Sequence, residues 1–312
     1  MKLSDPIQVG SLTLHSHLVM PPMAKHFSED GTVNDRLINY YKLMTAGGYL
    51  GLATIEHSYV SPEGSAGGCQ ISASRDSDIP GLEKLADAIH ANNVPTILQI
   101  NHAGSEAHPA DKQDLLGPDM SVDDVQRVRD AFIAAAVRAQ KAGFDGVEVH
   151  SAHGYLLSQF YSPLTNHRTD AYAGDSLVGR TRLQAEILRS IRQTCGEDFL
   201  LSIRFGASDY MNGGATVTDA PAAAKIFEDA GADMISVSGG LCRYTRKGST
   251  APGWFAELSR AVKTTVNVPV MLTGGIETRP QAEIFLNMGD ADLIGIGRAF
   301  MKNPGLPKKL LG

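Results

Sequence analysis

Residues 122–150, VDDVQRVRDAFIAAAVRAQKAGFDGVEVH, form one complete unit of a helix followed by a strand. The segment Val122–Lys141 repeats its apolar residues at the helical period, so it predicts a helix with one buried face. Gly143 follows it closely and can adopt the positive φ on which many helices end. The short run Gly146–Val149 then predicts a buried strand, and His150 follows at the carboxyl end of that strand.

The same rhythm of apolar run, polar or glycine-rich loop and helical segment recurs along the chain. Eight strands are predicted: His17–Met20, Leu50–Ile55, Thr96–Ile100, Gly146–Val149, Phe199–Ile203, Met234–Val237, Val268–Leu272 and Asp292–Ile296. The predicted helices are Asn34–Thr45, Gly81–Ala91, Val122–Lys141, Leu177–Thr194, Asp219–Ala230, Trp254–Thr265 and Arg279–Met288. This alternation indicates a parallel sheet, and eight units in 312 residues favour an α/β protein with a closed (β/α)8 TIM barrel. We therefore expect residues 1–312 to form a single barrel domain.

The composition argues against several classes of protein. Lys and Arg number 28 against 34 Asp and Glu, for a net charge of −6. That balance argues against a binder of nucleic acid or of a membrane surface, since both need a basic face for phosphates. Cys69, Cys195 and Cys242 lie far apart without a C-x-x-C pair, so neither a disulfide framework nor a cysteine-ligated metal is expected. No run of about 18 apolar residues occurs and no apolar leader follows Met1, so a cytoplasmic protein is expected.

Polar or glycine-rich residues follow each predicted strand, where a TIM barrel places its active site. In chain order they are Pro21–His26, Glu56-His57, Asn101–Gly104, His150–Tyr155, Arg204, Ser238–Gly240, Thr273–Gly275 and Gly297-Arg298, with Gln99 near the end of the third strand. We expect these residues to converge on one ligand.

Two glycine-containing strand ends point to a phosphate. Gly274-Gly275 and Gly297-Arg298 end the seventh and eighth strands, the usual phosphate site of a TIM barrel. Glycines let backbone N–H groups approach the oxygens, and a guanidinium adds a fork of donors. Each pair alone is better explained as a turn and a solvated arginine, but the two together favour a phosphate site.

The histidines after the fourth strand could serve a metal or a substrate oxygen. His150 and His153 lie three residues apart and Tyr155 follows. There is no H-E-x-x-H motif and no acid at the spacing of a third ligand, so no metal site is predicted. The pair could instead donate two hydrogen bonds to one substrate oxygen, with Tyr155 as proton donor. Loop histidines satisfied by backbone groups, and a packed tyrosine, explain the spacing equally well.

Arg204 ends a strand inside the predicted barrel. A guanidinium cannot stay unpaired in an interior, so Arg204 needs an anionic or electron-rich partner. Gln99 is a weaker signal, because buried glutamines are often bonded to backbone.

The order of these residues resembles a known family. Gly143–Phe160, with its continuation Ser162–Gly174, is similar to the central signature of the Old Yellow Enzyme family of flavin mononucleotide (FMN)-dependent ene-reductases. Supporting matches are Met20–Met23, Gln99–Gly104, Arg204 with Ala207–Tyr210, and Gly295–Arg298. Together they cover nearly the whole chain in the family's order.

This resemblance implies FMN as the cofactor. The backbone of Pro21–Ala24 would lie along the isoalloxazine ring, Gln99 would bond to its pyrimidine edge, and Arg204 would lie beside N1 and O2, where it stabilises the charge of the reduced flavin. Gly275, Gly297 and Arg298 would hold the phosphate. The full implied set of cofactor-binding residues is Pro21, Pro22, Met23, Ala24, His57, Gln99, Arg204, Gly240, Gly274, Gly275, Gly297 and Arg298.

The resemblance also implies the reaction. NADH or NADPH would reduce the flavin, and flavin N5 would then deliver hydride to the β carbon of an α,β-unsaturated carbonyl or nitro compound in ping-pong turnover. His150 and His153 would bind the substrate oxygen, Tyr155 would protonate the α carbon, and His26 occupies a substrate-contacting position. The implied partners are this enone-type substrate and NAD(P)H, with no nucleic acid and no membrane; a homo-oligomer is left open.

The chain departs from the family's pattern at several of these positions. Ala24 stands where members usually carry Cys or Thr, His26 where Tyr is frequent, His57 where a small residue is usual, and Ser105 where Arg is usual. These departures bear on the flavin potential and on the shape of the pocket. An external electron-transfer partner is left open beside free NAD(P)H.

Three alternatives stay open from the sequence. A tRNA dihydrouridine synthase is another FMN barrel, but it needs a basic face and a catalytic cysteine at its signature position. A flavin-binding or NADPH-sensing protein would have no dedicated substrate. A metal-dependent barrel lyase would use His150 and His153 as ligands.

Overall fold

A short hairpin leads into an alternation of strands and helices. The computed structural model describes residues 1–108 and 116–312. Its strands and α-helices are β1 (Ile7–Val9), β2 (Leu12–Leu14), β3 (Leu18–Met20), α1 (Asp35–Met44), β4 (Leu52–Tyr59), α2 (Ile79–His90), β5 (Thr96–Asn101), α3 (Val122–Lys141), β6 (Gly146–Ser151), α4 (Leu156–Tyr161), α5 (Leu177–Cys195), β7 (Leu200–Ser208), α6 (Ala220–Asp229), β8 (Met234–Gly239), α7 (Ala256–Lys263), β9 (Val270–Thr273), α8 (Arg279–Asn287), β10 (Leu293–Gly295), α9 (Arg298–Lys302) and α10 (Leu306–Leu311).

The eight strands β3 to β10 close a parallel barrel. Each pairs with the next along the chain, and β10 returns to pair with β3, where Ile294 lies opposite Leu18. The helices that connect the strands cover the outside, as right-handed crossovers require. The predicted (β/α)8 TIM barrel is therefore confirmed, and all eight predicted strands are present.

Six of the predicted strands end before the observed strand does, and the error is largest in two of them. β4 continues beyond Ile55 to Tyr59, and β7 continues beyond Ile203 to Ser208. The prediction stopped each of these two strands at its first charged residue. In a closed barrel, however, a polar side chain near the carboxyl end of a strand can face the cavity without interrupting the backbone pairing. Glu56, His57 and Arg204 thus lie within strands and not in the loops after them.

The helix predictions hold where the helix is amphipathic. α3 has the predicted bounds, because Ser121 caps its first turn by accepting a hydrogen bond from the Asp124 N–H at 3.1 Å, and Gly143 follows with φ +80°. The prediction missed the hairpin and the helices α4, α9 and α10. All six residues of α4 are buried, so this helix has no polar face to create a helical period.

The hairpin closes one end of the barrel. Val9 and Leu14 pack against apolar side chains from the amino ends of the barrel strands, namely Val19, Leu52, Ile97, Leu200, Met234, Met271 and Leu293. This apolar layer fills the barrel at that end, which leaves the carboxyl ends of the strands to form a cavity.

Two further observations concern membrane-spanning helices and disulfide bonds. Within residues 1–108 and 116–312 no helix combines the length and the hydrophobicity needed to cross a membrane. Cys69, Cys195 and Cys242 are free thiols.

Candidate active site

A cavity of about 850 Å³ opens at the carboxyl ends of the barrel strands. This volume lies in the upper range for cofactor and substrate sites. Fifteen of the predicted site residues line it: Pro21, Pro22, Met23, Ala24, His26, His57, Gln99, His150, His153, Tyr155, Arg204, Gly274, Gly275, Gly297 and Arg298. The strand ends therefore converge on one site, as the barrel topology predicted.

Gly240 is the predicted site residue that does not line this cavity. Its N–H donates to the Ser208 carbonyl oxygen at 2.8 Å, and a Cβ at this position would overlap Oδ1 of Asp209. That carboxylate in turn accepts hydrogen bonds from the Leu241 N–H and the Ser162 hydroxyl at 2.8 and 2.6 Å. Glycine is thus required here for close packing of the β7 and β8 ends, a reason that the sequence did not reveal.

Three ring side chains, one at the end of β6 and two in the segment after it, form a compact cluster. The ring of His150 lies 4.9 Å from that of His153 and 5.3 Å from that of Tyr155, both measured between centroids. His150 belongs to β6, whereas the turn that carries His153 has a positive φ of 63° at that residue. The strained turn brings the second imidazole back over the first, so that both face one point of the cavity.

The two histidines of this cluster are neutral. Burial lowers the pKa of each well below its ordinary value, and the positive charge of Arg204 lowers both further. His150 Nδ1 accepts the Ala152 N–H at 3.2 Å, so the proton of its ring lies on Nε2. His153 Nε2 pairs with the Ser238 hydroxyl at 2.8 Å. Neutral imidazoles of this kind donate hydrogen bonds to an oxygen without adding charge.

Tyr155 completes the cluster as a protonated phenol. Burial raises its pKa, and no described residue forms a hydrogen bond with its hydroxyl group. The hydroxyl is therefore available to a ligand in the cavity.

Arg204 lies in the cavity with no hydrogen-bond or ion-pair partner among the described residues. It is only 6% exposed, it forms no ion pair with a described residue, and its buried Nε has no hydrogen-bond acceptor in that part of the chain. Burial lowers its pKa, which the nearby carboxylate of Glu148 raises in part. An unpaired buried guanidinium is costly, so the site is suited to a ligand with an electron-rich edge.

Gln99 stands beside Arg204 with its amide orientation fixed. Its Nε2 donates to Oε1 of Glu148 at 2.8 Å, and Ser202 donates to the other carboxylate oxygen at 3.3 Å. Burial raises the pKa of Glu148, while Arg204 lowers it. One N–H of the Gln99 amide is used by Glu148, so its carbonyl oxygen and its second N–H are left to bind a ligand.

The other end of the cavity has a glycine cradle. Gly274 and Gly275 have φ values of +126° and +70°, and a Cβ on either would press against the indole of Trp254. The guanidinium of Arg298 lies 4.9 Å from this indole's centroid and forms no ion pair with a residue of the described ranges. Exposed backbone next to an arginine with free donors is suited to phosphate.

The prediction missed several cavity residues that come from loops. Gln70, Arg243, Tyr244 and Trp254 line the site, but none of them follows a barrel strand directly. The rule of searching strand ends therefore could not find them. Trp254 did carry one usable signal, because it is the single tryptophan of the chain.

Comparisons with known proteins identify the chain. The family model described as "NADH:flavin oxidoreductase / NADH oxidase family" matches residues 2–311. This chain belongs to that family. FMN and a reduced nicotinamide, which the resemblance to the Old Yellow Enzyme family implied, are thereby confirmed as the cofactor and the hydride donor of the family.

Relatives of this chain differ in length. An NADH oxidase of Thermoanaerobacter brockii is 36% identical, over 97% of this chain but 49% of its own length. An NADPH dehydrogenase of Bacillus pumilus is 36% identical, over 98% of this chain and 93% of its own. The solved structure of a 2-naphthoyl-CoA reductase in complex with 2-naphthoyl-CoA has a TM-score of 0.90 and 28% identity, over 99% of this chain and 52% of that one. The chain spans about half the length of some relatives and nearly all of another.

The residues present fit the family's FMN. Arg204, which has no partner among the described residues, and the carbonyl oxygen of Gln99 could bind the polar edge of the flavin. The glycine cradle and Arg298 could bind its phosphate. Ala24 brings neither a thiol nor a hydroxyl to this oxidoreductase site.

The geometry does not support a metal-dependent lyase, the third alternative from the sequence. Among residues 1–108 and 116–312, no three His, Cys, Asp or Glu side chains are placed to hold a metal ion. His150 and His153 thus have no third ligand there, and Nδ1 of His150 is occupied by a backbone N–H.

Proposed function

We propose that this flavin oxidoreductase reduces the C=C bond of α,β-unsaturated carbonyl compounds or related activated alkenes, with NADH or NADPH as the electron source. The observation that carries the proposal is the cluster of His150, His153 and Tyr155. It offers two neutral imidazoles and a protonated phenol on one side of a cavity whose floor holds an unpaired arginine.

The two imidazoles bind the substrate oxygen. His150 donates from Nε2, and His153 donates from Nδ1 when its Nε2 accepts the Ser238 hydroxyl. Hydrogen bonds to a carbonyl or nitro oxygen draw electron density from the conjugated double bond and stabilise the charge that develops when hydride reaches the β carbon. Because both rings stay neutral, they bind an uncharged substrate without first losing a proton.

Tyr155 supplies the proton to the α carbon. Its raised pKa keeps the hydroxyl protonated across the neutral range, so the donor is present in every turnover. His26, which lines the cavity from the segment after β3, is a further substrate contact.

The cofactor would be held by residues at both ends of the cavity. The backbone of Pro21–Ala24 and the side chains of Gln99 and Arg204 would bind the ring, and Gly275, Gly297 and Arg298 would bind the phosphate. When bound, FMN supplies hydride transfer from nicotinamide to substrate through N5 in two successive half-reactions. The protein orients the reactants, excludes water and places the positive charge of Arg204.

The relatives support a reductive reaction. The Bacillus pumilus protein is named an NADPH dehydrogenase, and the 2-naphthoyl-CoA reductase is a reductase by name. A single barrel domain over residues 1–312 and a cytoplasmic location are predictions from the sequence that accompany this proposal, and a homo-oligomer stays open.

The decisive experiment follows the flavin colour under anaerobic conditions. The purified protein should be yellow, or become yellow with added FMN, and NADH or NADPH should bleach it. Addition of 2-cyclohexenone should restore the colour faster than oxygen does. His150→Ala and His153→Ala should slow this reoxidation and weaken phenol binding while flavin content stays near that of the wild type.

Three outcomes contradict the proposal. A protein that stays colourless with excess FMN has no flavin site. A protein that bleaches but is not reoxidised by any activated alkene is a flavin-binding or NAD(P)H-sensing protein. Loss of flavin in both histidine variants, with phenol affinity unchanged, would place the imidazoles at the cofactor and not at the substrate.

A further inference from the structure

His57 is held in one protonation state by Gln70. The Nε2 atom of Gln70 donates to Nδ1 of His57 at 2.8 Å and to the backbone carbonyl oxygen of His57 at 3.1 Å. The amide oxygen of Gln70 accepts the Ala66 N–H at 2.7 Å and lies 3.4 Å from the Ser65 hydroxyl. All polar groups of this amide are therefore used within the protein.

This bonding fixes which nitrogen of His57 carries the proton. The Ala66 N–H can only donate, so it requires the oxygen of the Gln70 amide on its side and the NH₂ group on the side of His57. Nδ1 of His57 must then be an acceptor, and the ring proton lies on Nε2. Burial, together with smaller contributions from His26 and Arg204, lowers the pKa of His57 to about 4, so the ring is neutral as well.

The Nε2–H of His57 faces the substrate side of the cavity. The His57 ring lies 5.6 Å from the Tyr155 ring and 6.3 Å from the His150 ring, measured between centroids. His57 lines the cavity, and its Nε2 has no hydrogen-bond partner among the described residues. The position that the family resemblance associates with the flavin thus also belongs to the cluster of His150 and Tyr155.

We propose that His57 is a specificity-determining residue that donates a hydrogen bond to a second acceptor oxygen of the substrate, and that Gln70 is its positioning residue. This inference rests on the proposed function, in which His150 and His153 take the first oxygen. The substrate class that the arrangement selects is an activated alkene with a further carbonyl, such as an enedione.

The preference for a second carbonyl arises because a hydrogen-bond donor that is covered by a ligand without an acceptor reduces the free energy of binding. The Nε2–H of His57 is accessible in the open cavity and becomes buried when a substrate covers it. A substrate with one carbonyl then leaves this N–H unsatisfied or bound to a trapped water molecule, whereas a second carbonyl satisfies it. Neither His57 nor Gln70 carries a charge, so the preference is for a neutral acceptor oxygen.

Two matched ligands test the inference on the oxidised holoenzyme, in which no turnover occurs. Isophorone and 4-oxoisophorone share the same trimethylcyclohexene ring and differ by one carbonyl. Their dissociation constants are measured from the perturbation of the flavin spectrum. His57→Leu, which keeps bulk but removes the donor, should weaken 4-oxoisophorone by roughly tenfold and isophorone by less than about twofold. His153→Ala is the control, and it should weaken both ligands by a similar factor.

Gln70→Glu tests the positioning role without removing His57. At a pH high enough to keep the ring neutral, a carboxylate beside Nδ1 should move the ring proton to that nitrogen, so Nε2 no longer donates and the affinity for 4-oxoisophorone falls as in His57→Leu. The ¹⁵N chemical shifts of His57 report this change of tautomer directly, and a purely structural role for Gln70 would not produce it.

The outcomes separate this inference from the proposed function. Equal weakening of both ligands by His57→Leu would show that His57 only packs, and unchanged affinities would show that it does not touch the ligand; either overturns the inference while enone reduction stands. A wild-type ¹⁵N pattern with the proton on Nδ1 also overturns it. A wild-type holoenzyme that binds neither ligand and reduces no activated alkene overturns the proposed function and the inference with it.

Discussion

Replacing Arg204 by methionine tests whether its guanidinium serves the cofactor or the fold. The side chain is 6% exposed and has no ion pair within the described part of the chain, although Glu148 lies near enough to influence its pKa. If FMN is the missing partner, Arg204→Met should weaken the cofactor and leave the empty protein intact. If Glu148 is the true partner, the variant should lose stability.

The magnitude follows from the bonds that the guanidinium can make. Hydrogen bonds that involve a charged group contribute about 1.5–3 kcal/mol each. The loss of one such bond should weaken FMN binding by about 1.5–3 kcal/mol, which is about 10- to 150-fold in Kd, and the loss of a second should weaken it further. In the protein without flavin, the variant removes an unpaired buried cation, and Glu148 can respond by taking up a proton because its pKa is already raised by burial. The melting temperature of the flavin-free protein should therefore stay the same or rise.

Fluorescence titration with FMN and thermal unfolding with and without FMN measure both quantities. Glu148→Gln is the matched control: it removes the carboxylate that competes for Arg204, so FMN affinity should hold or increase. A large fall in the melting temperature of flavin-free Arg204→Met, with an FMN Kd like that of the wild type, would refute the reasoning and assign Arg204 to Glu148.

Two further perturbations probe the substrate side and the buried carboxyl group. Tyr155→Phe should slow alkene-dependent reoxidation about 10²-fold or more while the rate of flavin reduction by NAD(P)H stays unchanged, because only the second half-reaction needs its proton; stopped-flow traces with equal slowing of both half-reactions would contradict this. Glu56 is 2% exposed, and burial raises its pKa to about 7. Hydrogen bonds from the Lys25 N–H and the Tyr41 hydroxyl oppose this shift, because they stabilise the carboxylate. With this raised pKa, Glu56 holds its proton more tightly in the folded state than in the unfolded chain, so its contribution to stability is full below pH 4.5 and declines by about 3 kcal/mol as pH rises through 7. Urea unfolding of flavin-free wild type and Glu56→Gln at several pH values should show this decline in the wild type alone, and parallel curves would count against it.

The barrel was predictable because its signal is local and repeated. Each unit carries its own helical period and its own glycine at the helix end, as in Val122–Lys141 followed by Gly143, so a boundary error in one unit leaves the others intact. The short elements were not predictable. The strands of the hairpin have only three residues each, and α4 is buried on every side, so neither shows a period.

The sequence allows prediction of those site residues that lie at the ends of barrel strands. His150, Arg204 and Gly275 follow from the rule that ligands bind at the carboxyl ends of parallel strands. Gln70 and Trp254 do not follow from it, because loops bring them to the cavity from positions that no local pattern marks. Gly240 shows the opposite error: its place at a strand end suggested a ligand, but packing against Asp209 explains the glycine.

Periodicity and motif order sufficed to predict the class of fold, the family and the chemical groups at the strand ends, because these signals lie within short stretches of the chain. Which of those groups are paired and which are free follows from the folded chain alone. Arg204 has no hydrogen-bond or ion-pair partner among the described residues, His150 and His57 carry their protons on Nε2, and Gln70 determines the tautomer of His57. Protonation and pairing depend on neighbours that are distant in sequence, such as the Ala66 N–H that orients the Gln70 amide, and only the folded chain brings those neighbours into contact.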